Sequence, residues 1–164
     1  MPATTEERER TVTTDGLDLT DHEIEFDRPV DRLKPVCAAD QQTLTVIVDM
    51  VMSAHGRALE RSAGLRSASK QSRDHVEAIT YAVFSSRPGR YGSIEKQAAD
   101  FAVRLATGHC FPDGNKRTAV LSAAVIMEAY GRSIACGQDE MVKAAMLAAA
   151  GDVDRVEAIL CSGE

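Results

Sequence analysis

Apolar residues return every three or four positions through Leu44, Ile47, Val48, Val51 and Met52, which gathers them on one face of a helix. Asp40 stands just ahead of this stripe as a candidate N-cap, and Gly64 interrupts the pattern beyond it. A second stripe, Val76, Ile79 and Val83, predicts a helix from Ser72 to Phe84. In Ser85–Ser93, the Pro88-Gly89 pair and Gly92 predict a turn or a small hairpin. Ser93 can cap a third helix that carries Phe101 and Leu105 and stops at Gly108. After a short loop, Asp113 can cap a fourth helix that reaches Tyr130 and ends at Gly131. Its Ala119, Ala123, Ala124 and Met127 let neighbouring helices approach closely. A short extended piece at Ser133–Cys136 leads to two more helices, around Met141–Ala150 and Asp152–Leu160, divided by Gly151. The pattern predicts an all-α bundle of about six helices with a small hairpin.

Composition supports that reading. The chain is 44% hydrophobic but only 4% aromatic and has no Trp, and its apolar share leans on Ala, Leu and Val. Ala and Leu lose little side-chain freedom in a helix, whereas β-rich cores draw on more aromatics. At 164 residues the chain can bury a core without disulfide or metal support. Cys37, Cys110, Cys136 and Cys161 form no C-x-x-C pair and read as reduced thiols. No apolar run approaches the ~18 residues of a spanning helix. Met1–Arg10 is charged, so neither a signal peptide nor a membrane anchor is expected, and the location expected is cytoplasmic.

Charge divides the chain. Residues 1–31 hold ten acids against Arg8, Arg10 and Arg28, a net of −7, so the remainder sums to +1 of the total −6. With Pro29 and Pro35 near its end and no sustained periodicity, residues 1–38 read as an acidic, flexible extension. A short strand or turn at Ile24–Phe26 is the exception considered there. Residues 39–164 form the domain. No basic face suited to direct nucleic-acid binding emerges.

The chemistry concentrates in His109-Cys110-Phe111-Pro112-Asp113-Gly114-Asn115-Lys116-Arg117-Thr118, a helix–loop–helix junction. A first helical turn offers backbone N–H groups and a partial positive charge, which suits phosphate. Gly114 leaves the backbone open to a ligand, Lys116 and Arg117 add charge, and Asn115 can donate and accept hydrogen bonds. Lys and Arg are disfavoured by the helix dipole in a first turn, so their presence hints at a bound anion. A carboxylate beside such a pocket, here Asp113, is what Mg²⁺ needs alongside phosphate oxygens. His109 can accept a proton from an incoming hydroxyl. Each piece alone has a plainer reading: a surface His, a capping Asp, a Phe111 that only anchors the loop. Cys110 beside His109 suggests a thiol catalyst, but adjacent side chains rarely face each other and no second base is near in sequence.

The segment resembles the Fic motif, H-x-F-x-[D/E]-G-N-G-R-x-x-R, in His109, Phe111, Asp113, Gly114, Asn115 and Arg117. It departs at Lys116, where Fic enzymes usually carry Gly, and at Val120, where they carry the final Arg. Both departures are similar to the Doc (death-on-curing) branch of the Fic/Doc superfamily, H-x-F-x-D-[A/G]-N-K-R. The likeness extends over residues 40–160 and implies the Fic fold. It implies His109 as general base, Asp113 as a Mg²⁺ ligand, and Gly114, Asn115, Lys116 and Arg117 around the phosphates of ATP. The Doc type transfers the terminal phosphate to a Ser or Thr of a target protein such as a translation factor. Ordinary Fic enzymes transfer AMP instead. The resemblance also implies an antitoxin partner, and a catalytically silent module held by that partner is the reading from another class. Some Fic proteins carry an inhibitory [S/T]-x-x-x-E-[G/N] helix; Thr5-x-x-x-Glu9 is followed here by Arg10, so that pattern fails. The Arg87–Ser93 turn lies where family members place a flap that aligns the target peptide.

Overall fold

The computed structural model describes residues 35–60, 68–132, 134 and 137–161, together with the backbone of Thr13–Thr14 and Leu17–Asp18. The last two pairs are strands β1 and β2, an antiparallel ladder in which Thr14 faces Leu17 and Thr13 faces Asp18. Six helices follow among the described residues: α1 Gln41–Glu60, α2 Lys70–Phe84, α3 Ile94–Thr107, α4 Asn115–Ala129, α5 Gln138–Ala149 and α6 Val153–Cys161. The architecture is all-α. Ile24–Phe26, Gly64 and most of Ser133–Cys136 lie outside the described residues.

Caps set most helix starts. Asp40 Oδ1 accepts from Thr43 N–H at 2.8 Å, and Ser93 Oγ accepts from Lys96 N–H at 3.1 Å, both as the sequence suggests. Helix α2 begins two residues before the expected Ser72. Ser69 is its N-cap and Ser72 its third residue, and the two close a reciprocal capping box. Serine occupies both places, and only the backbone conformation distinguishes them.

The stripe of α1 is buried at Leu44, Ile47, Val48 and Val51 as expected, while Met52 is only half-buried against the core. The fourth expected helix behaves differently. Ten successive residues of α4, Thr118 to Met127, are buried, so this helix has no solvent face over most of its length. It runs through the middle of the bundle and packs on α1, α3 and α5. Ala119, Ala123 and Ala124 on α4, with Ala98, Ala99, Ala102 and Ala106 on α3, keep these two helices close. Phe101 and Phe84 meet edge to face beside them, with centroids 5.0 Å apart.

Gln97 is fully buried and acts as a polar clamp. Its Oε1 accepts from Val36 N–H at 2.7 Å, and its Nε2 donates to the Val36 carbonyl at 2.7 Å and to that of Val83 at 3.1 Å. Every polar atom of the amide is thus satisfied, and the chain entering α1 is tied to α2 and α3.

Ser85–Ser93 is a turn, with Arg90 N–H donating to the Arg87 carbonyl at 3.2 Å, and no strand ladder forms within it. The segment before α1 uses carbonyls at the end of α2 and in the turn instead: Ala39 N–H donates to Phe84 and Ala38 N–H to Ser86. Tyr91 anchors the far end of the turn. Its buried hydroxyl donates to Asp100, which also accepts from Arg104 Nε at 3.0 Å. Burial, then the Asp100 hydrogen bond, pushes the Tyr91 phenol up to about 12. Tyr91→Phe is expected to cost about 1–2 kcal/mol of stability in urea unfolding at pH 7. The phenol favours its neutral form more in the folded chain than in the unfolded one. The wild type's advantage over Tyr91→Phe should therefore be full below pH 10 and shrink as pH rises through 12. A difference that stays constant across this window contradicts the assignment.

Candidate functional site

The site is built where α3 hands over to α4. Helix α3 ends at Gly108, whose N–H donates to the Arg104 carbonyl at 2.9 Å. Gly108 itself is right-handed; its value is space. A Cβ there would lie 2.7 Å from the Arg104 carbonyl oxygen and 3.1 Å from Ile79 Cδ1 of α2. The left-handed residue that turns the chain is the next one, His109, at φ +50°. That conformation is uncommon outside glycine and costs of order 1 kcal/mol for a side chain that holds it. The side chain of His109 is exposed at this bend.

Phe111 is the loop's anchor. It is buried, and its ring lies on that of His55 with centroids 3.8 Å apart and planes 8° apart. His55 is only 1% exposed, and its Nε2 lies 2.9 Å from the carbonyl oxygen of Asp113. A carbonyl only accepts, so Nε2 carries the proton and donates. Burial lowers the His55 pKa, with the Asp113 carbonyl and carboxylate opposing that shift. The neutral ring is the favoured form. Sequence reasoning assigned His55 nothing. The signal was present: His55 follows Val51 by four residues and precedes Ala58 by three, on the buried stripe of α1. A polar ring on such a stripe needs a buried partner.

The expected cap of α4 is corrected. Gly114, not Asp113, is the N-cap, because the chain enters α4 through a left-handed residue at φ +81°. Gly114 has no side chain, so the cap supplies no acceptor to the first helical turn. Its backbone carbonyl accepts from Thr118 N–H at 3.0 Å. A side chain at this φ would be strained, and a Cβ would rest 3.6 Å from Leu59 Cδ2 and 3.7 Å from His55. Asp113 is half-buried just outside the helix.

The two flanking polar residues are tied inward. Asn115 Oδ1 accepts from Phe111 N–H at 2.9 Å, and its Nδ2 donates to the Phe111 carbonyl at 2.8 Å. Its amide therefore braces the loop, with both ends on one residue's backbone. Arg117 reaches back to donate from an Nη atom to the Ala58 carbonyl of α1 at 3.2 Å. Lys116 is exposed on the outer face of the first turn. Val120, one turn further on, is buried in the core.

Cys110 is buried, and burial pushes its thiol up to about 11. A thiol in that state holds almost no thiolate near neutral pH, which argues against a thiol catalyst. In native protein at pH 8, alkylation of Cys110 is expected to be about 100-fold slower than in the urea-unfolded chain. Peptide mass spectrometry over time checks this. A native rate within a few fold of the unfolded one would contradict it. Cys37, Cys110 and Cys161 are all free.

Among the described residues no group of three His, Cys, Asp or Glu side chains converges as a metal cage. A single carboxylate such as Asp113 suits Mg²⁺ that arrives already held by phosphate oxygens. No helix among the described residues is long and apolar enough to cross a membrane. An open groove of about 540 Å³ is lined by Tyr81, Ser85, Arg87, Pro88 and Arg90, none of them in the motif.

The junction thus brings together an exposed His on a strained bend, a carboxylate, a glycine-entered helix N-terminus and an exposed Lys. In comparison with known proteins, a model of the Fic/DOC family matches residues 38–127. No curated protein and no solved structure matches the chain.

Proposed function

From the premise that this chain belongs to the Fic/DOC family, we propose that it is a Doc-type phosphotransferase that moves the terminal phosphate of ATP to a Ser or Thr hydroxyl of a target protein. The Fic-type transferase domain is common ground for every reading of the site. The observation that carries the finer reading is the pair Lys116 and Val120: a cation exposed on the first turn, and a buried apolar side chain where AMP-transferring members carry Arg.

In this reading the phosphates lie against the start of α4, where the helix dipole, Lys116 and the backbone near Gly114 offset their charge. Arg117, held by the Ala58 carbonyl, adds positive charge at the same turn. When bound with the nucleotide, Mg²⁺ supplies further neutralisation, and Asp113 is the side chain that would hold it. His109 takes the proton of the target hydroxyl as its oxygen bonds to the terminal phosphorus, and the bond to the departing ADP oxygen breaks. Asn115 acts on loop shape. The Arg87–Arg90 turn, with the groove beside it, is the surface on which a target segment would align.

The remaining parts of the proposal are biological. The target is a protein such as a translation factor, the regulator is an antitoxin that covers the site, and the setting is a cytoplasmic toxin–antitoxin pair.

The test follows the label. The protein is incubated with a bacterial lysate, Mg²⁺ and ATP labelled at either the γ- or the α-phosphate. Transfer of the γ label alone supports the proposal. Transfer of the α label would make the chain an AMP transferase, and transfer of neither would favour a silent, partner-held module.

A further inference from the structure

We propose that His55, toward the C-terminal end of α1, is a positioning residue that sets the motif loop in its phosphate-binding shape. The inference rests on the functional reading above for its purpose, but its geometry stands apart from that reading. His55 reaches no reacting atom in this arrangement; it acts through Phe111 and through the peptide between Asp113 and Gly114.

The peptide bond explains how. The described chain has no cis peptide, so in the Asp113–Gly114 unit the carbonyl and the N–H point in opposite directions. His55 pulls the Asp113 carbonyl toward α1 with a 2.9 Å hydrogen bond. The Gly114 N–H is thereby turned to the opposite side, away from the buried ring. That is the side on which a ligand can meet the start of α4.

The stack does a second job. With ring planes only 8° apart, His55 fixes the tilt of Phe111, whose backbone N–H and carbonyl are both held by Asn115. The first residue of α4 is therefore braced to the loop, and the loop to α1. Arg117 closes the arrangement by binding Ala58, three residues after His55. The last turns of α1 form a seat for the whole junction. A phenylalanine at position 55 would keep the stack and lose the bond to Asp113. A leucine would lose both.

Three samples test this: the wild type, His55→Phe and His55→Gln. Two readouts are taken on each, amide hydrogen exchange of the His109–Arg117 segment and Mg·ATP affinity by calorimetry. His55→Phe is expected to speed exchange in this segment by about tenfold while α2 and α5 stay unchanged, and to weaken Mg·ATP by a similar factor. His55→Gln, which keeps a donor, should recover part of both. Unchanged exchange and affinity in His55→Phe, or a uniform rise in exchange over all helices, overturns the proposal.

If the wild type itself binds no Mg·ATP while the exchange result holds, the nucleotide reading fails and the positioning role survives. A further measurement needs no variant. Nitrogen shifts of the His55 ring should report the Nε2–H tautomer, and an Nδ1–H tautomer would refute the assignment even if both variants fail to fold.

Discussion

Replacing His109 by alanine is expected to lower phosphate transfer by about 10³-fold, the usual scale for loss of a general base. The same change should leave stability within about 0.5 kcal/mol, because the side chain is exposed. Mg·ATP affinity should also hold, since the proposed phosphate contacts come from the start of α4, at Gly114, Lys116 and Arg117. Single-turnover transfer of the γ label, with calorimetry on the same samples, separates these effects. A residual rate within tenfold of the wild type would remove His109 from the chemistry.

The backbone adds a sharper control. His109 sits at φ +50°, where glycine is at ease and other residues are strained. His109→Gly should therefore be more stable than His109→Ala by about 0.5–1 kcal/mol, yet equally inactive. Such a result would mean that the fold tolerates a strained residue at this bend for the sake of its side chain. Equal stability of the two variants would mean that the bend carries no usable strain.

Local signals were legible in the sequence where one segment settles its own structure. The stripe of α1 and the caps at Asp40 and Ser93 belong to this class. So do the helix stops at Gly131 and Gly151, both found at positive φ. Gly108 was legible as a stop, but not the reason a glycine stands there, which is the nearness of the Arg104 carbonyl and of Ile79 on another helix.

What stayed hidden depends on partners far along the chain. His55 and Asp113 lie 58 residues apart, and Gln97 and Val36 lie 61 apart. No periodicity announces either bond, although a polar residue on an apolar stripe marks where one must exist. The all-round burial of α4 was hidden for a related reason. Alanine, serine and threonine read as permissive in a helix pattern, and only the helices packed around them make Thr118 and Ser122 interior. Asp113 was misread as a cap because its residue type suits that role. Gly114 took the position through backbone geometry that a carboxylate cannot signal.

Phe111→Ala is expected to be the most damaging single change in the junction. Phe-to-Ala substitutions at buried sites cost about 3–5 kcal/mol, from lost transfer energy plus the cavity left behind. Phe111 belongs near the lower end, at about 3 kcal/mol, because it sits on a loop that can settle into part of the space. Even so, this is a large share of the roughly 5–15 kcal/mol that holds a domain together. The variant also uncovers the ring face of His55 and frees the backbone that Asn115 grips, so phosphate transfer should fall with stability. Phe111→Leu separates the two effects: it refills most of the volume but offers no flat surface to His55. It should recover at least half of the lost stability in urea unfolding, while Mg·ATP affinity stays several-fold weak. If leucine restores affinity along with stability, Phe111 is a space-filling anchor and the ring-on-ring contact contributes nothing to the site. If alanine costs less than about 1 kcal/mol, the burial of Phe111 is not what holds the loop to α1.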